Sequence, residues 1–450
     1  MENNYILSKY AFSVCKKTKE GKDICLLFSG RTAKNILVSE EVYSLIMQGK
    51  IKSLKPRTLD ILIGQKILVP STEDELNEIN KENVALLSHS PKDNLYISIQ
   101  PTAACQLACY YCGQSHARKM LTDGLIEQIV QRVSRKLAEP TMKSLEIGWF
   151  GGEPLMAFLK MRKINQRLKD MAIKHSIKYT GHITTNGYAL TPSVYKELKD
   201  DFNIYRIEIT IDGSKEFHDK RRVTTKGVGS FNIIFNNLKE ITQSPFYDSK
   251  KCVISVRCNV DEKNVDGVMP LLEMLYKNNM QDKVLFYTSP VVSWSNNGAG
   301  SLQGHRLLGE MSSKHIDYMV SHGFKVTILP KRAVPYICLG TDEHAEMYDA
   351  DGNIFDCSET SYSDYYEKKG FVLGNVAEGT STNKRSRLYA VPKMLLEKQM
   401  QPCNECKFYP LCGGLCPLGL LEGEPRCPSF VYNIEARIVL AYKAKIKQMI

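Results

Sequence analysis

No apolar run in this 450-residue chain approaches the roughly 18 to 20 residues that a membrane-spanning helix needs. The first residues, MENNYILSKYAFSV, have no basic segment leading into an apolar core, so export is not expected and the chain reads as cytoplasmic. Internal repeats and low-complexity stretches are missing as well, which excludes repeat arrays and long disordered tails. The formal net charge is +11, yet the lysines are scattered, with no dense basic block and no basic stripe interleaved with aromatics. A solvated basic surface accounts for that pattern, and no nucleic-acid partner is expected. Disulfides are not expected either, because in a reducing compartment clustered thiols bind metal more often than they pair.

What remains is ordinary globular composition, 43% hydrophobic and 24% charged, with 14 cysteines and enough length for two or three domains. Residues 1–88 read as short strands (YAFSVCKK, DICLLFS, NILVS), two helices (SEEVYSLIMQ, KPRTLDILIGQ) and a closing strand, KILVPS. Ser39 is placed to cap the first helix, and the whole fits a small winged-helix-like module. The acidic segment STEDELNEINKEN reads as the linker that ends it. Residues 93–300 alternate six strands with amphipathic helices, the pattern of a parallel sheet with helical crossovers and hence of a partial (β/α)6 barrel. In such barrels chemistry collects on loops after the strands' C-terminal ends, and CQLACYYC, GGEP, TTNG and TIDG all fall there. Residues 330–450 have weaker periodicity and seven cysteines, so that region is expected to need metal for part of its stability.

Cys105, Cys109 and Cys112 are spaced by three and then two residues. Three thiolates plus a histidine such as His116 would satisfy one zinc ion. The same short loop can also wrap three corners of an iron–sulfur cube. Downstream, Cys403, Cys406, Cys412 and Cys416 are followed by Cys427, with Cys338 and Cys357 upstream; seven thiols exceed one site, and zinc ribbons are the competing reading. Cys15, Cys25, Cys252 and Cys258 lie in strands and are expected to be core residues.

The CxxxCxxC loop followed by GGEP resembles the radical S-adenosylmethionine superfamily, and the cysteines from Cys338 onward resemble its SPASM domain, with two auxiliary clusters. The resemblance runs from about residue 95 to the C-terminus. It implies that Cys105, Cys109 and Cys112 hold a 4Fe-4S cluster whose fourth iron is chelated by S-adenosylmethionine, giving three clusters in all. It further implies that Gly151, Gly152, Glu153 and Pro154 face that cofactor, the glycines by close backbone approach and Glu153 by accepting from its ammonium group. Thr185, Asn186 and Thr210 would contact its polar groups, Tyr111 its adenine, and Arg257 its carboxylate in a bidentate pair. Asp212 would serve similar contacts or cap the next helix. Cys403, Cys406, Cys412 and Cys427 would hold the outer auxiliary cluster, and Cys338, Cys357 and Cys416 the inner one, with His344 or an open iron as fourth ligand.

By the same resemblance the enzyme is a maturase of ribosomally made peptides, fed electrons by a flavodoxin or ferredoxin. A 5′-deoxyadenosyl radical would take hydrogen from a precursor peptide, which then forms a thioether, ether or carbon–carbon crosslink. The N-terminal module is similar in topology to leader-recognition domains and would hold the leader as an added strand. Tyr287, Trp294 and His305 are candidates for lining the cavity. Formylglycine generation on sulfatases is the alternative, although relatives of that kind carry aspartate where this chain has Ser358. Peptide epimerisation is also open, and a zinc-stapled binding protein is the reading outside enzymology.

Overall fold

The computed structural model describes residues 4–17, 23–89, 92–292, 302–333, 338–378, 385–414 and 416–447, so Trp294 and the side chain of His305 lie outside the described residues. Two compact units emerge: residues 1–90, 327–337 and 390–450 form one, and residues 91–326 with 338–389 form the other. The cut differs from three consecutive stretches, because the tail packs into the same unit as the N-terminal module.

In the first unit, β1 (Tyr5–Leu7) pairs antiparallel with β5 (Leu68–Pro70), and β2 (Ala11–Lys17), β3 (Asp23–Ser29) and β4 (Lys34–Ser39) form an antiparallel sheet in that order. Ser39 Oγ accepts from Val42 N at 3.3 Å, capping the helix Glu40–Met47 as its position suggests. The acidic stretch is no linker. It is a helix, Glu75–His89, whose Leu76, Ile79 and Asn83 are buried on one face at helical spacing. Leu76 and Ile79 pack with Val391, Leu395, Met400, Tyr409 and Leu420 from the tail. Phe12, Leu26 and Phe28 of the small sheet join Leu411, Ile434 and Ile438 in a second shared core. Cys15 and Cys25, directly opposite each other on β2 and β3, are joined as a disulfide with Cα atoms 4.1 Å apart, where two separate core thiols were expected. Cys252 and Cys258 are fully buried, as expected of core residues.

The second unit carries β6 (Asn94–Ile99), β7 (Ser144–Trp149), β8 (Lys178–Thr185), β9 (Ile204–Thr210), β10 (Val253–Val260) and β11 (Val284–Pro290). All six are parallel and adjacent in chain order, which is the half-barrel expected from alternating strands and helices. Beyond β6 the sheet continues through β12 (Ala345–Tyr348), β13 (Asn353–Phe355) and β14 (Gly374–Asn375), making nine strands. Helices such as Asp123–Leu137 and Phe158–Lys174 cover the outside, with Ile126, Ile129, Val133, Met161, Ile164 and Leu168 buried.

A buried ion pair ties one covering helix to the added hairpin. Arg132 donates from Nε and Nη2 to the two oxygens of Glu346 at 2.8 Å each, and Lys136 Nζ lies 3.0 Å from the same carboxylate. Burial pushes the Glu346 carboxyl up, and Arg132 and Lys136 more than reverse it, so the folded value is lowered. A lowered carboxyl contributes stability above its unfolded value and loses it as pH falls through the folded one. Arg132→Met should therefore cost about 3–5 kcal/mol at neutral pH, toward the lower end because Lys136 remains. Thermal unfolding of both proteins should show that deficit narrowing as pH drops below the carboxylate range; a gap independent of pH would assign it to packing instead.

Candidate functional site

Cys105, Cys109 and Cys112 follow β6, GGEP follows β7, TTNG ends β8, TIDG ends β9, and Asn259 and Asp261 close β10. All lie at the C-terminal ends of parallel strands. Gly151 and Gly152 are needed here by the cysteine loop rather than by a ligand. A Cβ on Gly151, whose φ is +122°, would lie 2.7 Å from Thr102 O, and one on Gly152 would lie 2.5 Å from Ala104 O and 2.6 Å from Ala103 O. Gly152 N donates to Thr102 O at 3.1 Å and Glu153 N to Ala104 O at 2.8 Å, so two backbones run in direct contact.

Glu153 is fully buried and engaged by neighbouring donors. It accepts from Leu155 N at 3.0 Å, Thr185 Oγ1 at 2.6 Å and Asn186 N at 2.7 Å. Burial pushes its carboxyl up against the pull of those donors. Thr185 thus gives its hydroxyl proton to Glu153, leaving Asn186 to face the cysteine loop. The Asn186 amide exchanges hydrogen bonds with Gln106 at 3.2 and 3.3 Å, and its Nδ2 lies 3.7 Å from Cys105 Sγ. Pro154 starts the 3-10 turn after Glu153 and is buried.

Tyr111 is held by its hydroxyl. It donates to Asp212 Oδ2 at 2.5 Å and accepts from Arg222 Nη1 at 2.7 Å and Asn259 Nδ2 at 3.2 Å. Asp212 also accepts from Asn259 N at 2.9 Å, so it orients Tyr111 and the end of β10 and does not cap a helix. Ser214 occupies the cap position. Thr210 is buried at the end of β9, opposite Arg257. Arg257 donates to Asn259 Oδ1 at 2.8 Å and Ser289 Oγ at 3.2 Å, with Glu208 at 3.6 Å. Tyr287, on the neighbouring strand, donates to Glu208. His344 stands at the start of β12 beside Glu343, 3.7 Å away, and lines a cavity of about 220 Å³ with Leu95, Lys136, Glu139, Arg385 and Tyr389; the structure joins it to no thiol.

Among the described residues no group of three or more His, Cys, Asp or Glu is arranged to hold a metal ion outright. The donor chemistry nonetheless suits a sulfur-ligated cluster. Cys105, Cys338 and Cys406 each accept an N–H from the residue two positions on, at 3.4 Å, and hydrogen bonds to sulfur are one means by which proteins tune such centres. Burial pushes Cys105 up to about 12, and Cys109 up against the pull of Arg222. For Cys112 burial is outweighed by His116, whose Nε2 lies 3.4 Å from Sγ and whose Nδ1 lies 3.1 Å from Ala103 O, and the thiol falls below its usual value. In the other unit, burial first and neighbouring thiols with it push Cys403 up to about 11 and Cys412 up to about 12; Cys427 is also raised by burial and by Cys406. Cys338 and Cys357 belong to the barrel unit and Cys416 to the other.

Residues 99–257 match the model of the radical SAM superfamily. The chain carries a radical SAM domain. A cysteine-type anaerobic sulfatase-maturating enzyme of Clostridium novyi (strain NT) is 22% identical over 395 residues, 78% of this chain and 98% of that protein. The mycofactocin maturase MftC of Mycolicibacterium smegmatis is 28% identical over 165 residues, 36% of this chain and 38% of its own length. Native anSMEcpe with bound AdoMet and Cp18Cys peptide has a TM-score of 0.57 at 18% identity, covering 79% of this chain and 98% of that one, and shares the fold. With that domain at residues 99–257 the chain is an enzyme that uses S-adenosylmethionine, and no described helix is long and apolar enough to cross a membrane.

Sequence reasoning passed over Arg222, Gln106, Asn259 and Asp261. Arg222 carried a signal in the run HDKRR, two adjacent guanidiniums twelve residues after Thr210 on no periodic apolar face. Its burial could not be read there. Replacing Gly152 with alanine should displace the cysteine loop, lower 5′-deoxyadenosine formation at least tenfold and reduce iron by up to one cluster's worth, about four atoms per chain. Gly64→Ala, where a Cβ meets nothing within 4 Å, is the control and should leave both unchanged. Equal behaviour of the two variants would refute the contact.

Proposed function

We propose that this radical SAM enzyme matures a ribosomally made peptide by forming a crosslink within it, through sulfur, oxygen or carbon. The observation that carries the reading is the gathering of CQLACYYC, GGEP, TTNG and TIDG at one end of the half-barrel, above a wall built from Glu208, Arg257 and Tyr287. Support comes from a relative, matched over nearly its whole length, that matures sulfatases, and from a structural neighbour that binds AdoMet with a peptide. A 4Fe-4S cluster and S-adenosylmethionine, when bound, would supply radical chemistry able to remove a hydrogen atom from carbon. Cys105, Cys109 and Cys112 would hold that cluster, and Asn186 would sit against its Cys105 corner. Glu153 fixes TTNG to GGEP, while Asp212, Asn259 and Arg222 fix Tyr111, so the cofactor meets a rigid floor.

Cys403, Cys406, Cys412 and Cys427 would hold an auxiliary cluster, and a flavodoxin or ferredoxin would deliver electrons. In the small sheet β4 pairs only with β3, so its outer edge, with Leu37 half exposed, would accept a leader as an added strand. Tethering of that kind raises the local concentration of the segment to be modified. Formylglycine generation is the second reading. Ser358 replaces the expected aspartate, but Glu359 follows it, 3.5 Å from the Ser358 hydroxyl, and offers that reading a carboxylate.

With candidate precursor peptides, product lighter by two hydrogens and inert to hydrazine-type aldehyde traps is expected; a trapped aldehyde would decide for formylglycine. Replacing Cys105, Cys109 and Cys112 together with alanine should abolish 5′-deoxyadenosine formation while auxiliary iron stays. Continued cleavage in that variant would show the site to be misassigned, and iron and sulfide counts per chain would separate one cluster from three.

A further inference from the structure

A strand-like strap, Arg221–Thr225, lies along the cysteine loop. Ala108 N donates to Val223 O at 2.8 Å, Thr225 N to Gln106 O at 2.9 Å and Tyr110 N to Arg221 O at 3.3 Å, and Leu107 bridges Thr224 in antiparallel fashion. Facing residues in an antiparallel pair have a constant sum of numbers and present side chains on the same side. The register therefore sets Arg222 opposite Cys109. Arg221, opposite Tyr110, behaves as that register requires: its guanidinium carbon is 5.1 Å from the ring centroid and its Nη1 3.0 Å from the phenol oxygen.

Arg222 is 6% exposed. Nη1 donates to Tyr111, and Nε is buried with no hydrogen-bond partner among the described residues. A buried donor left unmade costs about 1–3 kcal/mol, more when charged, so its retention points to an acceptor outside the protein's own groups. Burial works against the guanidinium charge; of the groups that favour it, Cys109 comes first, ahead of Tyr111 and Asp212. Asp212 is also 3.6 Å from Arg221 Nε, so its charge is shared between two guanidiniums.

We propose that Arg222 sets the reduction potential of an iron–sulfur cluster on Cys105, Cys109 and Cys112, as a fixed cation and N–H donor at the Cys109 corner. The inference rests on the reading of those cysteines as cluster ligands. Reduction adds one negative charge to the cluster, and a buried cation beside it favours the reduced state more than the oxidised one. An N–H to a cluster sulfur acts in the same direction. Arginine cannot release its proton under such conditions, so the bias is permanent. Arg222 would then be a positioning residue for the electron.

The test is a redox titration of the holoenzyme without S-adenosylmethionine, following the electron-resonance signal that a parallel sample shows to be perturbed by it. Leaving the cofactor out separates the potential from any contact Arg222 makes to the cofactor. Arg222→Gln should lower the ratio of reduced to oxidised cluster at fixed potential at least tenfold, a shift of roughly 59 mV for one electron. Arg222→Lys should stay within about threefold of wild type, the charge being kept. Asp212→Asn, which removes an anion that acts on both Cys109 and Arg222, should raise the ratio, and it decides the matter if Arg222→Gln fails to assemble the cluster. An unmoved potential in Arg222→Gln, or in Asp212→Asn where the first cannot be read, overturns the inference. If wild type itself shows no signal that S-adenosylmethionine perturbs, the underlying reading fails instead.

Discussion

Direct backbone contact between the loop after β6 and the loop after β7 is the constraint from which the site follows. Gly152 has no room for a single added carbon against Ala103 and Ala104, so the position of GGEP fixes that of the residues leading into Cys105. Glu153 then carries the constraint onward, because its buried carboxylate accepts from Thr185 and from Asn186 N. Asn186 returns it to the cysteine loop through Gln106 and the edge of Cys105. Three loops thus form a closed circuit of short-range contacts. Arg257 on β10 and Tyr287 on β11 bond to Glu208 and to neighbours on the wall rather than to those loops, which leaves specificity at the barrel wall free to vary.

The strands and most helices were legible because their periods are unambiguous. Isoleucines and valines alternate or run together over six to eight positions, and each such run became a strand of the half-barrel. The acidic helix Glu75–His89 was not legible, since its charged surface hides three buried positions, Leu76, Ile79 and Asn83, and the first two find partners more than 300 residues away in the chain. The same distance hid the joint core of the N-terminal module and the tail. At the site, residue types were readable and their jobs were not. Glu153 and Asp212 look in sequence like groups that meet a ligand, and the neighbours they bond to are ones that only folding brings close. The contacts of Arg257 to Glu208 and Ser289 were hidden in the same way, because those residues lie on adjacent strands.

The two sets of cysteines also differ in what the protein supplies for their charge. Metal ligation requires thiolates, and burial opposes them at Cys105, Cys109, Cys112, Cys403, Cys412 and Cys427. Around the first set the chain provides Arg222 opposite Cys109 and His116 against Cys112, so two of three thiols have a protein group favouring the anion. Cys105 has only weak help from an N–H and from Arg222, and its thiolate is opposed by the buried Glu153.

For Cys403, Cys412 and Cys427 neighbouring thiols add to burial in raising the thiol, and a backbone N–H at Cys412 works the other way. Thiolates held close together would repel one another, and a centre of high positive charge bound there would reverse that sign and contribute its binding energy to folding. That tail shares its hydrophobic core with the N-terminal module through Tyr409 and Leu411, so whatever orders the tail also bears on the small sheet.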